Sequence, residues 1–254
     1  MLQRFLNWSG SEVSTWYVNS LLRLDVRRRA PLPAGPKIIA ANHPTTSDPF
    51  ILMGLVHEPM SILISRFCFT LPMLGVFLRG AAHVPVDRGC GREAFEAALG
   101  LLQAGRTVGI FPEGGLSPAG GGLGTLRTGV ARLALSSGAP IVPVGIAVQH
   151  ARLLHRRVHI GGGVTDGARW AHRGRYAVTV GEPLTCSGDP LDRDLVQTVM
   201  AQVEQHLVHL AEESANRADA AQVRGSRLGI RTSACQVWGA CTAALRTASG
   251  WLGF

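Results

Sequence analysis

His43 and Asp48 stand five positions apart in ANHPTTSDPF, the stretch from Ala41 to Phe50. A carboxylate that reaches one imidazole nitrogen holds the ring in a single tautomer and leaves the other nitrogen as a general base. A helix would not bring these two together, because at about 100° per residue a separation of five leaves side chains about 140° apart. The backbone between them must turn, and Pro44 favours a turn. Asp48 followed by Pro49 also has the order of a helix N-cap and first helical position. A helix start would keep the carboxylate ionised. Two readings therefore stand: a bent catalytic pair, or a capped helix preceded by a loop histidine.

Three further stretches have residue types suited to chemistry. In VPVDR, Val84 to Arg88, the guanidinium of Arg88 follows a short apolar run and can grip a phosphate through its bidentate fork, or pair with a carboxylate such as Asp87. In FPEGGLS, Phe111 to Ser117, Glu113 closes the apolar run TVGIF at the strand end where α/β sheets place ligands. Gly114 and Gly115 then permit close backbone approach with N–H groups facing an anion. The plainer reading is a glycine-rich turn with Glu113 in water. In APIVPVG, Ala139 to Gly145, Pro143 belongs either to an apolar wall beside an acyl chain or to an ordinary buried strand. There is no Gly-x-Ser-x-Gly nucleophile elbow, and the nine His do not fall at zinc-ligand spacing with Cys or carboxylates, so no metal site is expected.

Alternating elements are needed to carry these stretches. KIIAAN reads as a strand leading into the His43 turn and PFILMGLVH as a short helix after it. Helices are predicted over Glu93–Ala104 and Thr125–Ser137, each stopped by a glycine, with strands over Thr107–Phe111, Pro140–Val148 and Tyr176–Val180. A long helix is predicted over Leu191–Ala215. Such alternation predicts an α/β domain on a mostly parallel central sheet flanked by helices. Residues 1 to about 24 read as a partly amphipathic helix, so that 1–30 forms an N-terminal membrane-associating segment, 31–220 the main domain and 221–254 a basic appendage.

The chain has 254 residues, 46% hydrophobic and 17% charged, which excludes disorder and allows a sizeable core. Its net charge of +8 rests on 25 basic residues, of which Lys37 is the single lysine. That surplus favours an anionic partner. With few aromatics and no nucleic-acid module, an anionic membrane surface or a phosphorylated substrate fits better than nucleic acid. Six Arg and one acid in His150–Arg175, and four Arg and no acid from Ala221 onward, are either solvated surface or faces toward an anionic bilayer. No run of about 18 apolar residues is present, so the expectation is peripheral attachment on the cytoplasmic side. Five Cys without a CxxC pair read as reduced thiols.

Taken together and in order, Asn-His-x4-Asp, Val-Asp-Arg, Phe-Pro-Glu-Gly and the proline-punctuated strand IVPVGI resemble the 1-acylglycerol-3-phosphate acyltransferase (lysophosphatidate acyltransferase) family, from about Lys37 to Leu184. The resemblance implies phospholipid biosynthesis, with a fatty acyl group moving from acyl-CoA or acyl carrier protein to the hydroxyl of a lyso-lipid acceptor, and no cofactor. His43 would be the base and Asp48 its holder. Arg88 would grip the acceptor phosphate. Glu113 with the backbone of Gly114 and Gly115 would shape the acceptor pocket, and Pro143 would border the acyl chain. The family commonly continues Phe-Pro-Glu-Gly-Thr-Arg-Ser, whereas here Gly115 and Leu116 replace the Thr and Arg, and Arg127 stands further along where relatives are also basic. Losing a bidentate donor weakens recognition of a phosphomonoester. An acceptor without a free phosphate, a silent lipid-binding protein and a thioesterase-like hydrolase are the competing expectations.

Overall fold

The structure is a computed structural model that describes residues 22–56, 58–87, 89, 91–148, 153–159, 165–171 and 174–227. By its internal contacts the chain divides into Met1–Asp219 and Ala220–Phe254. The strands are β1 (Leu22–Arg28), β2 (Ile38–Ala41), β3 (Met60–Ser65), β4 (Val84–Val86), β5 (Thr107–Ile110), β6 (Ile141–Val148), β7 (Leu153–His159), β8 (Thr165–Ala171) and β9 (Gly174–Val180). The helices are α1 (Asp48–Leu55), α2 (Arg66–Thr70), α3 (Leu74–Gly80), α4 (Gly91–Gln103), α5 (Gly129–Ser137) and α6 (Arg193–Arg227).

Seven strands form one sheet in the order β1-β9-β6-β2-β5-β3-β4, and β7 and β8 pair separately as an antiparallel ribbon. Every pairing in the large sheet is parallel except β6 with β9. β2 is buried along its whole length. An unbroken apolar run such as IIAA is what a parallel strand covered on both faces requires. One face carries Ile39, Val142, Val144, Ile146 and Val178 beneath Ile51, Leu52 and Leu55 of α1. The other carries Ile38, Val108 and Ile141 beneath α4, α5 and α6, with Val199, Val203 and Leu207 as the contribution of α6. The architecture is the predicted α/β class.

Gly145 shows how tightly α6 seats. A Cβ there would stand 2.1 Å from the Leu210 backbone, so only glycine lets β6 and α6 approach this closely. At the base of the sheet the buried Lys37 ammonium donates to the Gly35 carbonyl and to Glu58. Burial raises the Glu58 carboxyl, but the Lys37 hydrogen bond and charge outweigh it and hold the group below its ordinary value.

The sequence expectation fails at the N-terminal end. Leu22–Arg28 is a strand parallel to β9, not the end of a helix, and it adds an edge to the sheet upstream of residue 31. LRLDVRR alternates, and Leu24 and Val26 pack on the core while Arg23, Asp25 and Arg27 have the opposite parity. Residues 1–21 of the expected helix lie outside the described residues. The basic run is used internally: Arg28 donates to the Leu55 carbonyl (2.9 Å), and Arg29 pairs with Glu213 (2.5 Å). α5 begins at Gly129 and not at Thr125, α6 runs to Arg227, and the β7–β8 ribbon occupies part of the basic block read as surface. Residues 228–254 of the appendage lie outside the described residues. Among the described residues no helix is long and apolar enough to cross a membrane.

Candidate active site

β2 ends at Ala41 and β5 at Ile110, so His43 and Phe111–Ser117 leave the same edge of the sheet, at the carboxyl ends of parallel strands. Asn42 prolongs the pairing beyond the last β2 residue. Its buried carboxamide donates to the Ile146 carbonyl (2.9 Å) and accepts from the Ile146 N–H (2.7 Å), doing for β6 what a strand backbone would do. With Asn42 pinned, the next residue is thrown clear of the sheet at a fixed point.

The bend between His43 and Asp48 exists. Asp48 is fully buried, and its Oδ2 lies 2.9 Å from His43 Nδ1. Two more donors satisfy the carboxylate: the Thr45 N–H to Oδ2 and the Thr45 hydroxyl to Oδ1, each at 2.7 Å. With the Thr45 N–H and hydroxyl both donating to it, the carboxylate faces His43 as an acceptor, which puts the imidazole proton on Nδ1. His43 Nε2 is then the basic nitrogen, and it has no hydrogen-bond partner among the described residues. Asp48 is not the N-cap of α1. Ser47 occupies that position without a side-chain cap bond, and the Asp48 carboxylate is committed to His43 and Thr45.

A second tier holds the first. Thr45 spends its hydroxyl proton on Asp48, so the Tyr176 hydroxyl of β9, 2.6 Å away, donates to Thr45 Oγ1. The His43 ring stacks on Phe111 with centroids 3.9 Å apart and planes 15° off parallel, which limits its rotation.

Glu113 is half-buried, and its carboxylate is taken up by protein donors rather than left free in solvent. Oε1 accepts from the His43 N–H (2.9 Å) and the Ser117 hydroxyl (2.6 Å), and Oε2 accepts from the Gly124 N–H (2.6 Å). The carboxylate is a staple joining the histidine turn to both ends of the glycine-rich loop. Ser117 completes it, with its N–H on the His43 carbonyl at 2.8 Å.

Gly114 has φ +65°, and a Cβ on it would stand 2.6 Å from Arg127 Nε, so the guanidinium of Arg127 lies directly over this glycine. Arg127 is exposed and has no carboxylate partner among the described residues. Gly115 is different: a Cβ there meets nothing within 4 Å and its φ is not positive, so the fold itself does not demand glycine. Pro143 is buried in β6, and its ring packs where a Cβ on Gly181 would meet it at 2.9 Å, beside Leu210 of α6. That is the sheet face opposite Asp48 and α1, so Pro143 belongs to the strand core and not to an acyl wall. Arg88 lies outside the described residues. Its neighbour Asp87 pairs with Arg66.

Thr45, Tyr176 and Arg169 carry the site and were not singled out in the sequence. Arg169 of β8 is buried, its guanidinium donating to the Ser117 carbonyl. Its backbone exchanges bonds with Thr46: the Thr46 N–H to the Arg169 carbonyl (2.8 Å), and the Arg169 N–H to Thr46 Oγ1 (3.1 Å). One residue of the basic block thus ties the ribbon to the histidine turn. Its only sequence signal was charge. The described thiols, Cys68 and Cys186, are free, and burial raises both. Among the described residues no three His, Cys, Asp or Glu are grouped to hold a metal ion.

Residues 23–147 match the family model described as Acyltransferase. The chain carries an Acyltransferase-family domain. The match begins within β1 and ends within β6, so it encloses the histidine turn, the Glu113 staple and Arg127. Over 110 residues the chain is 32% identical to the 1-acyl-sn-glycerol-3-phosphate acyltransferase of Borreliella burgdorferi, covering 42% of this chain. The alignment spans 44% of that relative's length. The fold is also similar to the crystal structure of the 1-acyl-sn-glycerophosphate acyltransferase PlsC from Thermotoga maritima. The TM-score is 0.57 at 21% identity, over 83% of this chain and 78% of that one.

Proposed function

We propose that this chain transfers a fatty acyl group from an acyl thioester, acyl-CoA or acyl carrier protein, to the free hydroxyl of 1-acylglycerol-3-phosphate or a similar lyso-lipid. The observation that carries the reading is the buried Asp48 bonded to His43 Nδ1, which leaves Nε2 basic and unpartnered among the described residues. Nε2 accepts the proton of the acceptor hydroxyl as that oxygen attacks the thioester carbonyl. The C–S bond then breaks, and the departing thiolate takes the proton back from the imidazolium. No covalent acyl-enzyme is required. General-base action of this kind contributes about 10² to 10⁴ in rate. Holding the two substrates in line contributes a large further share.

Arg127 supports a phosphate-bearing acceptor in spite of Leu116. An exposed guanidinium without a carboxylate partner, lying over the glycine next to Glu113, is placed to fork onto a phosphate close to His43. The open space at Gly115 leaves room for the ligand there. Arg88 remains a second candidate from the sequence. The test is transfer of a labelled acyl group from each donor type to a panel of lyso-lipids, with His43→Ala and Arg127→Ala alongside. Loss of turnover in His43→Ala is expected, with a raised KM for phosphate-bearing acceptors alone in Arg127→Ala. His43→Ala activity within tenfold of wild type would refute the base, and an unchanged acceptor KM would refute the clamp.

A further inference from the structure

β3 and β4 are parallel neighbours, so the chain leaving Ser65 must cross back before Val84, and it does so through only two short helices, α2 and α3. Their inner side is well packed: Phe69 and Leu78 are buried, and a Cβ on Gly75 would strike the Phe69 carbonyl oxygen at 2.1 Å. The tip is the reverse. Leu71, Met73, Leu74 and Val76 are all exposed, Met73 by 86% and Val76 by 66%.

The turn that displays them is itself strained. Met73 has φ 61° and ψ −51°, and the Leu74 N–H bonds back to the Pro72 carbonyl at 2.7 Å, which is a γ-turn of the unfavourable hand centred on a non-glycine residue. Such a conformation persists only when the surroundings impose it, and it commonly marks a functional segment. Here it holds the methionine side chain in water, where the fold gains nothing from it.

We propose that the α2–α3 crossover is a membrane-contacting element that inserts Leu71, Met73, Leu74 and Val76 into the surface of an anionic lipid bilayer. Charge selects this occupant. Residues 66–86 contain Arg66 and Arg79 and no Asp or Glu, in a chain of net charge +8. Arg66 is paired with Asp87 and Glu93, so the flank's charge rests on Arg79, which is exposed and has no carboxylate partner among the described residues. An apolar tip with a basic flank matches the acyl–headgroup boundary of an anionic leaflet. The crossover also springs from the carboxyl end of β3, the sheet edge that bears His43 and Glu113. Insertion of the tip therefore presents that edge to lipid. Binding is read without turnover, so it stands or falls separately from acyl transfer.

The test is flotation of the full chain with vesicles of phosphatidylglycerol and phosphatidylethanolamine, against vesicles of phosphatidylcholine alone. The double variant Met73→Asp/Val76→Asp is compared with Leu191→Asp, an equally exposed apolar residue just before α6. Partition of the double variant to anionic vesicles falls about tenfold or more, and Leu191→Asp stays within about twofold of wild type. Met73→Gln/Val76→Gln, which adds no charge, loses an intermediate amount. Thermal unfolding matching wild type confirms that these solvent-facing changes leave the fold intact. A wild-type chain that ignores vesicles, a double variant that binds as well as wild type, or equal loss in Leu191→Asp overturns the proposal. So does a variant with unchanged vesicle binding whose sedimentation shifts from dimer to monomer, since the occupant is then a second copy of this chain.

Discussion

Replacing Glu113 separates a staple from a substrate contact. Three donors converge on its carboxylate: the His43 N–H at 2.9 Å, the Ser117 hydroxyl at 2.6 Å and the Gly124 N–H at 2.6 Å. Hydrogen bonds to a charged group contribute about 1.5–3 kcal/mol each. Glu113 is only half-buried, so water takes up part of what Glu113→Ala releases, and the expected loss is about 2–4 kcal/mol. For a domain of this size that lowers Tm by roughly 5–15 °C. The activity cost comes through His43, whose backbone loses an anchor; a displacement of about 1 Å at a reacting group costs about 10² in rate. Glu113→Gln keeps an oxygen for His43 and Ser117 but turns an amide donor onto the Gly124 N–H. It therefore loses one bond, and its kcat stays within about tenfold of wild type. Steady-state kinetics with each substrate varied, beside calorimetry, decides the matter. The staple predicts falls in kcat and Tm with both KM values unchanged. Wild-type Tm with a raised acceptor KM alone would refute it and return Glu113 to the acceptor pocket.

Three further outcomes are expected. Tyr176→Phe removes the donor to Thr45 Oγ1 and loosens the support of Asp48; kcat falls about three- to tenfold with KM unchanged, and denaturant unfolding shows a loss of about 1 kcal/mol. His83 is buried, and desolvation, aided by the charge of Arg106, lowers its pKa to about 4, while its Nδ1 accepts the Ile62 N–H at 3.0 Å. The unfolded chain binds that proton near pH 6.5 and the folded one does not. This contribution is therefore complete above pH 6.5 and is lost as pH falls toward 4, amounting to roughly 2–3 kcal/mol at pH 4.5. Urea unfolding of wild type and His83→Asn at pH 7 and 4.5 should show a smaller acid loss in the variant, and equal losses would remove His83 as the cause. Gly145→Ala forces a Cβ against the Leu210 backbone and should destabilise by about 3 kcal/mol or more in the same assay, with a near-neutral result refuting the close β6–α6 seat.

Much of the sheet was legible because buried parallel strands write themselves as short apolar runs between helical periods. IIAA, TVGI and IVPVGIAV are strands, and the glycines at 105 and 138 stop helices with φ of +78° and +69°. LRLDVRR was hidden by its context. Its alternation is a strand pattern, but it continues a leucine-rich amphipathic stretch, and only pairing with β9, about 150 residues later in the chain, decides between the two periods. Residue types and local spacing marked His43, Asp48, Glu113 and Gly114 as candidates, and it was the resemblance of the ordered motifs to the acyltransferase family that joined them into one site. Their assignments were not fully legible. Whether Asp48 caps a helix or holds an imidazole depends on where a five-residue turn places two oxygens, and Thr45 and Tyr176, 131 positions apart, settle that geometry together.

Sequence by itself determined the fold class, the location of the histidine turn and the glycine-rich loop, and the chemistry their side chains can perform. It did so because burial period and turn residues are local properties of the chain. Only the tertiary structure decided that Glu113 is a staple, that Pro143 packs on the face away from Asp48, that Arg127 lies over Gly114, and that Arg169 is buried against the site. Those outcomes depend on which atoms from distant segments come within hydrogen-bonding distance, and that distance is set by the packing of the whole sheet.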